Sequence, residues 1–145
     1  MLQKIEFTKT IEKNFSYFKQ IPLLPNLIDE QLKLLILFIR PVVFSKMTDY
    51  VKYVKTIEGL TSKYHRYGGL EFQVNGKEIG HLHGDGLVDL RFNLAIKQQI
   101  VQEGLAEPHH VFPDTGWISY TITSDKPIED LQELTLRAVE FAKRG

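Results

Sequence analysis

The stretch Leu70-Glu71-Phe72-Gln73-Val74-Asn75-Gly76-Lys77-Glu78-Ile79-Gly80-His81-Leu82-His83-Gly84-Asp85-Gly86-Leu87-Val88-Asp89-Leu90-Arg91-Phe92 decides the fold class. Leu70, Phe72 and Val74 alternate with Glu71 and Gln73, the period-two pattern of a strand with one covered face. Asn75-Gly76 suits a type I′ hairpin turn, whose two central residues both need positive φ. Lys77 to His83 reads as the second strand, Gly84-Asp85-Gly86 as another tight turn, and Leu87 to Phe92 as the third strand. A strand at about Ser62 to Tyr67, turning at Gly68-Gly69, precedes these three.

The hairpins assign faces. With a two-residue loop, Val74 lies opposite Lys77, Phe72 opposite Ile79 and Leu70 opposite His81. Centring the next loop on Gly84-Asp85 or on Asp85-Gly86 gives one parity. It places Ile79, His81 and His83 with Val88, Leu90 and Phe92 under the helices. Glu71, Gln73, Glu78, Gly80, Asp89 and Arg91 then form a polar face toward water or a partner.

Outward from the meander, the chain reads as helical. Asn93 can cap a helix to Glu103, with Gly104 after it. A strand pair follows, Pro108 to Phe112 and Trp117 to Thr123, joined by a turn over Pro113-Asp114-Thr115-Gly116. A final amphipathic helix from about Pro127 to Lys143 carries Ile128, Leu131, Leu134, Ala138, Val139 and Ala142 on its apolar face. Toward the N-terminus, Ile11, Phe15 and Phe18 form a helical stripe. A second helix starts near Asp29 and stops before Pro41, because proline disfavours the α region in the residue before it. A third spans about Thr48 to Ile57. The expectation is a single domain over 1–145. Its fold class is α+β: a two-layer sandwich with an antiparallel sheet covered by helices on one face. The element order is α-β(3-4)-α-β(2)-α, with a helical N-terminal extension over 1–45.

Composition narrows the function classes. The 145 residues carry 18 basic and 18 acidic side chains, so the phosphate-matching basic excess of a general nucleic-acid binder is missing and nucleic acid is disfavoured as partner. With no cysteine, neither a thiolate nucleophile nor a cysteine-ligated metal is possible. The first 20 residues show no signal-peptide pattern, and Leu32 to Phe44, interrupted by Lys33 and Arg40-Pro41, is too short to span a bilayer. A cytoplasmic location is the expectation, with no membrane partner. Leu34 to Ile39 is apolar all round, which means burial in the core or against another chain. A protein partner or self-association through Leu34, Leu35, Phe38 and Ile39 is the second of these.

His81 and His83 are the unusual chemical feature. At i and i+2 on a strand they point the same way, with Cα atoms about 7 Å apart, and both imidazoles can hold one metal ion. His109 is the candidate third ligand, since it alternates with Val111. Asp85 or Asp89 can add an oxygen, although parity sends Asp89 to the other face. Against this stands the structural reading, hydrogen-bonded histidines inside a core. No H-E-x-x-H, Walker lysine or Gly-x-Ser-x-Gly accompanies them. His81, His83, Asp85, His109 and Trp117 make up the candidate ligand pocket, and His81, His83 and His109 the candidate metal set. His65 and His110 receive no role.

The run Tyr67-Gly68-Gly69-Leu70-Glu71-Phe72, then Gly76 to Gly86 with its His-Leu-His-Gly-Asp core, resembles the family described as "luciferase domain". So does Gly104 to Trp117, through Pro108-His109-His110-Val111-Phe112-Pro113-Asp114-Thr115-Gly116-Trp117. The resemblance covers roughly Thr48 to Lys143. Nothing in it marks a flavin, adenylate or luciferin site, so neither a cofactor nor luminescence is expected. Phe72-x-Val74-x-Gly76-Lys77, the later hairpin near Trp117 and the last helix also resemble MmcQ/YjbR-like proteins. That likeness implies an α-β(3)-α-β(2)-α order, and DNA binding by fold analogy. Three functions stay open. The first is a binding or interaction module. The second is a small-molecule or metal-binding enzyme built on the histidines. The third is a nucleic-acid-binding module.

Overall fold

The computed structural model describes residues 24–66 and 68–145. The stripe Ile11, Phe15 and Phe18 lies outside the described residues. Two helices come first, α1 (Leu24–Ile39) and α2 (Pro41–Val54). Strands β1 (Leu60–Tyr64), β2 (Leu70–Val74), β3 (Lys77–Leu82) and β4 (Leu87–Arg91) follow. Then come α3 (Leu94–Gln102), β5 (Glu107–Pro108), β6 (Trp117–Thr121) and α4 (Ile128–Arg144). The strands form one open antiparallel sheet in the order β1-β2-β3-β4-β6-β5. The α+β class and the expected element order are what the structure has.

Local chemistry sets the boundaries. Pro41 closes α1, by disfavouring the α region in Arg40, and opens α2, because the N–H it lacks is one the first helical turn leaves unpaired. Asn93 caps α3, its side chain accepting the Ile96 N–H at 2.8 Å. Lys46 ties α2 to the β6–α4 connection by donating to the carbonyls of Thr123, Ser124 and Lys126. Asp29 of α1 docks on the β3–β4 turn. Its Oδ1 accepts the Gly84 N–H at 2.5 Å, and a Cβ on Gly84 would stand 2.4 Å from the Asp29 carbonyl oxygen. Leu34, Leu35, Phe38 and Ile39, in contrast, are exposed among the described residues, Phe38 by 82%.

The core lies between the helices and one sheet face. Phe72, Val74, Ile79, Leu82, Val88 and Leu90 from the sheet pack with Tyr50 and Val54 of α2, Ile100 of α3 and Leu131, Leu134 and Ala138 of α4. The Tyr50 ring meets Phe72 edge-on at 5.9 Å. The Tyr50 hydroxyl donates to Thr135 Oγ1 at 2.7 Å, since Thr135 gives its own proton to the Leu131 carbonyl.

One expectation about this layering is overturned: His81 and His83 do not lie under the helices. Two residues beyond the simple hairpin count decide it. Gln73 pairs with Glu78 but Phe72 pairs with Gly80, so Ile79 is an extra residue, a β-bulge. Past it, His81 stands opposite Glu71 rather than Leu70. The next loop then takes three residues, Gly84 to Gly86, closed by His83 N–H to Leu87 O at 2.8 Å, with Gly86 at φ +92°. This second slip returns Val88 and Leu90 to the apolar face and puts Asp89 opposite His81. Gly80 belongs with Phe72 and Leu90, not with the polar set.

Candidate functional site

The second face of the sheet is charged, and its centre is closed off from water. A cross-strand row runs Lys63, Glu71, His81, Asp89, Ser119, Glu107 from β1 to β5. Directly opposite residues on adjacent strands share a face, so the ladder itself brings these side chains together. Glu71, Asp89 and Ser119 are buried, Asp89 completely. The turn after β1 adds His65, and the segment after β5 adds His109 and His110. All five histidines of the chain therefore meet in one cluster.

Asp89 is its centre. Oδ2 lies 3.2 Å from His81 Nε2, 3.2 Å from His83 Nε2 and 3.4 Å from His109 Nε2. Oδ1 accepts the Ser119 hydroxyl at 2.5 Å. Burial alone would raise the Asp89 pKa. Hydrogen bonds from His81, His83 and Ser119 outweigh it and hold the carboxyl far below the usual carboxylate range.

His81 is gripped from both sides, with Nδ1 2.7 Å from Glu78 Oε1 and Nε2 facing Asp89. Burial works against its charge, but the hydrogen bonds to Asp89 and Glu78, with their charges, prevail and raise its pKa to about 9. Glu78 likewise overcomes burial, and its bonds to His65 and His81 lower it to about 2. His65 stacks on His81 at 4.5 Å and sets Nε2 3.4 Å from Glu78 Oε1.

His109 is oriented by its own loop. Its Nδ1 accepts the Val111 and Phe112 N–H groups at 3.0 and 3.1 Å. The ring proton of the neutral imidazole then sits on Nε2 and points at Asp89. Because the chain folds back over His109, β5 ends at Pro108 and does not reach Phe112 as the alternation suggested. The Lys97 ammonium of α3 pins the loop by donating to the carbonyls of Pro113 and Thr115. Trp117 closes one side, 5.7 Å from His81 and 6.1 Å from His109, with the Arg91 guanidinium 6.0 Å from its ring.

Of the candidate pocket, the structure gathers His81, His83, His109 and Trp117 and leaves Asp85 aside. Asp85 is exposed, and its Oδ1 accepts the Leu87 N–H of its own turn. The expected metal set is divided. His81 and His83 form a ligand-spaced group with Asp89, while His109 groups with Asp89 and His110. Hairpin parity sets Asp89, weighed as an oxygen donor, and Glu78 on the face away from the histidines, while His65 receives no role and Ser119 is not read as a site residue. A signal was present: a glycine inside a strand, here Gly80, marks a bulge.

A mixed α+β domain with a buried histidine–carboxylate cluster on the sheet face opposite its core is the class that fold and site define. The family model described as "Luciferase domain" matches residues 76–138, which hold His81, His83, Asp89, His109 and Trp117. The luciferase-domain resemblance is thus shown over that segment, while the likeness to MmcQ/YjbR-like proteins is not. No curated protein and no solved structure matches the chain. Among the described residues, no helix is long and apolar enough to cross a membrane.

Proposed function

We propose that the chain is a small-molecule enzyme or receptor whose site is the histidine–carboxylate cluster. One observation carries the reading: three imidazole Nε2 atoms converge within 3.4 Å on one oxygen of the fully buried Asp89. Burying ionised groups costs several kcal/mol each, about what a well-made pair returns. Stability alone is therefore a poor reason to collect them on a sheet whose other face already supplies an apolar core. The cluster reaches solvent through His83 and Glu78, whose side chains are 30% and 28% exposed. A ligand entering there meets His83 first, with the charged His81 and Asp89 behind it and the Trp117 ring as an apolar wall. Such a set can bind a small polar ligand and exchange a proton with it through His83, at the ring nitrogen that does not face Asp89.

The test uses chelator-treated, tag-free protein. Its imidazole resonances are followed by NMR against a fragment set of small carboxylates, phenols and carbonyl compounds. Saturable shifts at His81 and His83, lost in His83→Ala, are the expected result. If no fragment moves these resonances at millimolar concentration, the reading fails.

A second reading, self-association, is favoured by the exposure of Leu34, Leu35, Phe38 and Ile39 on α1, since contiguous exposed apolar surface of this kind marks interaction sites. Sedimentation of the full chain checks it: a dimer that Phe38→Asp dissociates supports it, and a monomer at 100 μM, on the order of the concentration at which weak dimers form, removes it.

A further inference from the structure

We infer that His81, His83 and Asp89 are the ligands of a divalent transition-metal ion, zinc or a neighbour in its row. The inference rests on the proposed site and names what occupies it. Around zinc, ligand atoms about 2.0–2.1 Å from the metal in tetrahedral array lie about 3.3–3.4 Å from one another. Asp89 Oδ2 stands 3.2 Å from both His81 Nε2 and His83 Nε2. All three ligand atoms lie within 4.8 Å of one another. His81 and Asp89 hang from the adjacent strands β3 and β4, and His83, the residue after β3, is held by its N–H on the Leu87 carbonyl at 2.8 Å, which fixes the three more rigidly than a free loop can.

The groups behind them fit a metal site as well. The His81 Nδ1–H donates to Glu78 Oε1 at 2.7 Å, the carboxylate–histidine arrangement that fixes a ligand's tautomer and leaves Nε2 for the metal. Ser119 does the corresponding task for the other oxygen of Asp89. Two imidazoles and one carboxylate suit zinc, iron or manganese and leave a coordination position for water or substrate on the side where His83 meets solvent.

The competing groups fit less well. His109 offers Nε2 only as a donor, because two backbone N–H groups occupy its Nδ1, so it steadies Asp89 and does not ligate. In the His65–Glu78–His81 group the 2.7 Å contact is a hydrogen bond, too short for two ligands of one metal.

The experiment is calorimetric titration of tag-free, chelator-stripped full-length protein with Zn2+, paired with the visible spectrum of the Co2+ form. One equivalent bound, with the intense absorption of four- or five-coordinate cobalt, is expected. His83→Ala should abolish both signals. Glu78→Gln, at a positioning residue, should weaken zinc binding about 10–100-fold while keeping the cobalt spectrum. Asp85→Asn, at an exposed residue outside the cluster, should change neither. His83 is partly exposed, so its variant is expected to fold, and circular dichroism with a His83→Gln duplicate checks this. No binding by the wild type overturns the inference, as does binding that survives both His83 variants or is lost equally in Asp85→Asn. The fragment titration on metal-stripped protein is independent: fragments without zinc sink the metal alone, and zinc without fragments sinks only the small-molecule reading.

Discussion

Asp89 and Leu90 are neighbours on β4, both completely buried, and they face opposite sides of the sheet. Leu90 belongs to the apolar core that the sheet shares with residues of α2, α3 and α4. Around Asp89 the contacts are few, directional and charged: three imidazoles, one hydroxyl and, behind His81, a second carboxylate. Burial of one residue thus rests on summed apolar area, and of the other on a fixed geometry of donors. An apolar face tolerates small errors of position. A face built on one carboxylate oxygen does not, which is the property a binding or catalytic site needs.

The most disruptive way to break this contrast is to delete Ile79. Without the bulge residue, pairing resumes its simple count, and His81 and His83 turn toward the helices while β4 loses its place opposite them. The expected outcome is no cooperative thermal transition and no dispersed NMR spectrum, a larger effect than any single substitution below. Retained folding with unchanged imidazole shifts would show that the bulge does not set the faces.

The neighbours themselves give the next test. Leu90→Ala should cost about 2–5 kcal/mol in urea unfolding through the cavity it leaves, yet keep the imidazole resonances of the cluster. Asp89→Ala should cost a similar amount, about 3–5 kcal/mol, because it strands buried charge, and should scatter those resonances. Equal spectra from the two variants would remove the distinction between the faces.

A pH series sharpens it further. In metal-free protein His81 faces Glu71 across β2, Glu78 along β3, Asp89 across β4 and the rings of His65 and His83. Its pKa is raised from 6.5 to about 9, so the folded state holds the proton more tightly than the unfolded chain. That contribution is complete below pH 6.5 and is lost as pH rises through 9, up to about 3 kcal/mol in all. Glu78 has the opposite sign. Its pKa is lowered from 4.5 to about 2, so its contribution is present above pH 4.5 and lost as pH falls through 2. Leu90→Ala should keep the alkaline slope, and His81→Gln should lose it. A slope that persists in His81→Gln would assign it to another group.

The smallest effects come from one hydrogen bond on each face. Ser119→Ala removes a donor to a charged oxygen and should cost about 1.5–3 kcal/mol, whereas Tyr50→Phe removes a neutral hydroxyl contact to Thr135 and should cost about 1 kcal/mol. Chemical denaturation of the pair tests the ranking, and a reversed order would contradict the charged character assigned to the Asp89 face.

Much of the fold was legible in the residues alone. The alternation of Leu70 to Val74, the Asn75-Gly76 turn, the Asn93 cap and the apolar stripe of α4 are local signals, each read within a few residues, and each marks an element that exists. The site was legible only in part. His81 and His83 share a face because strand periodicity is local. Which face they share depends on a count carried through two hairpins, and one extra residue in each reversed it. His65, His109 and Asp89 lie far apart in sequence, and nothing short of the sheet order brings them together.

By itself, then, the sequence determined the class of domain, the order of its helices and strands, and the presence of histidines spaced to act in concert, since propensity and periodicity act over neighbouring residues. Only the tertiary structure decided that those histidines stand on the charged face around Asp89. Strand register is a long-range property, set where Ile79 and the three-residue Gly84–Gly86 turn let the apolar residues of β3 and β4 pack beneath the helices.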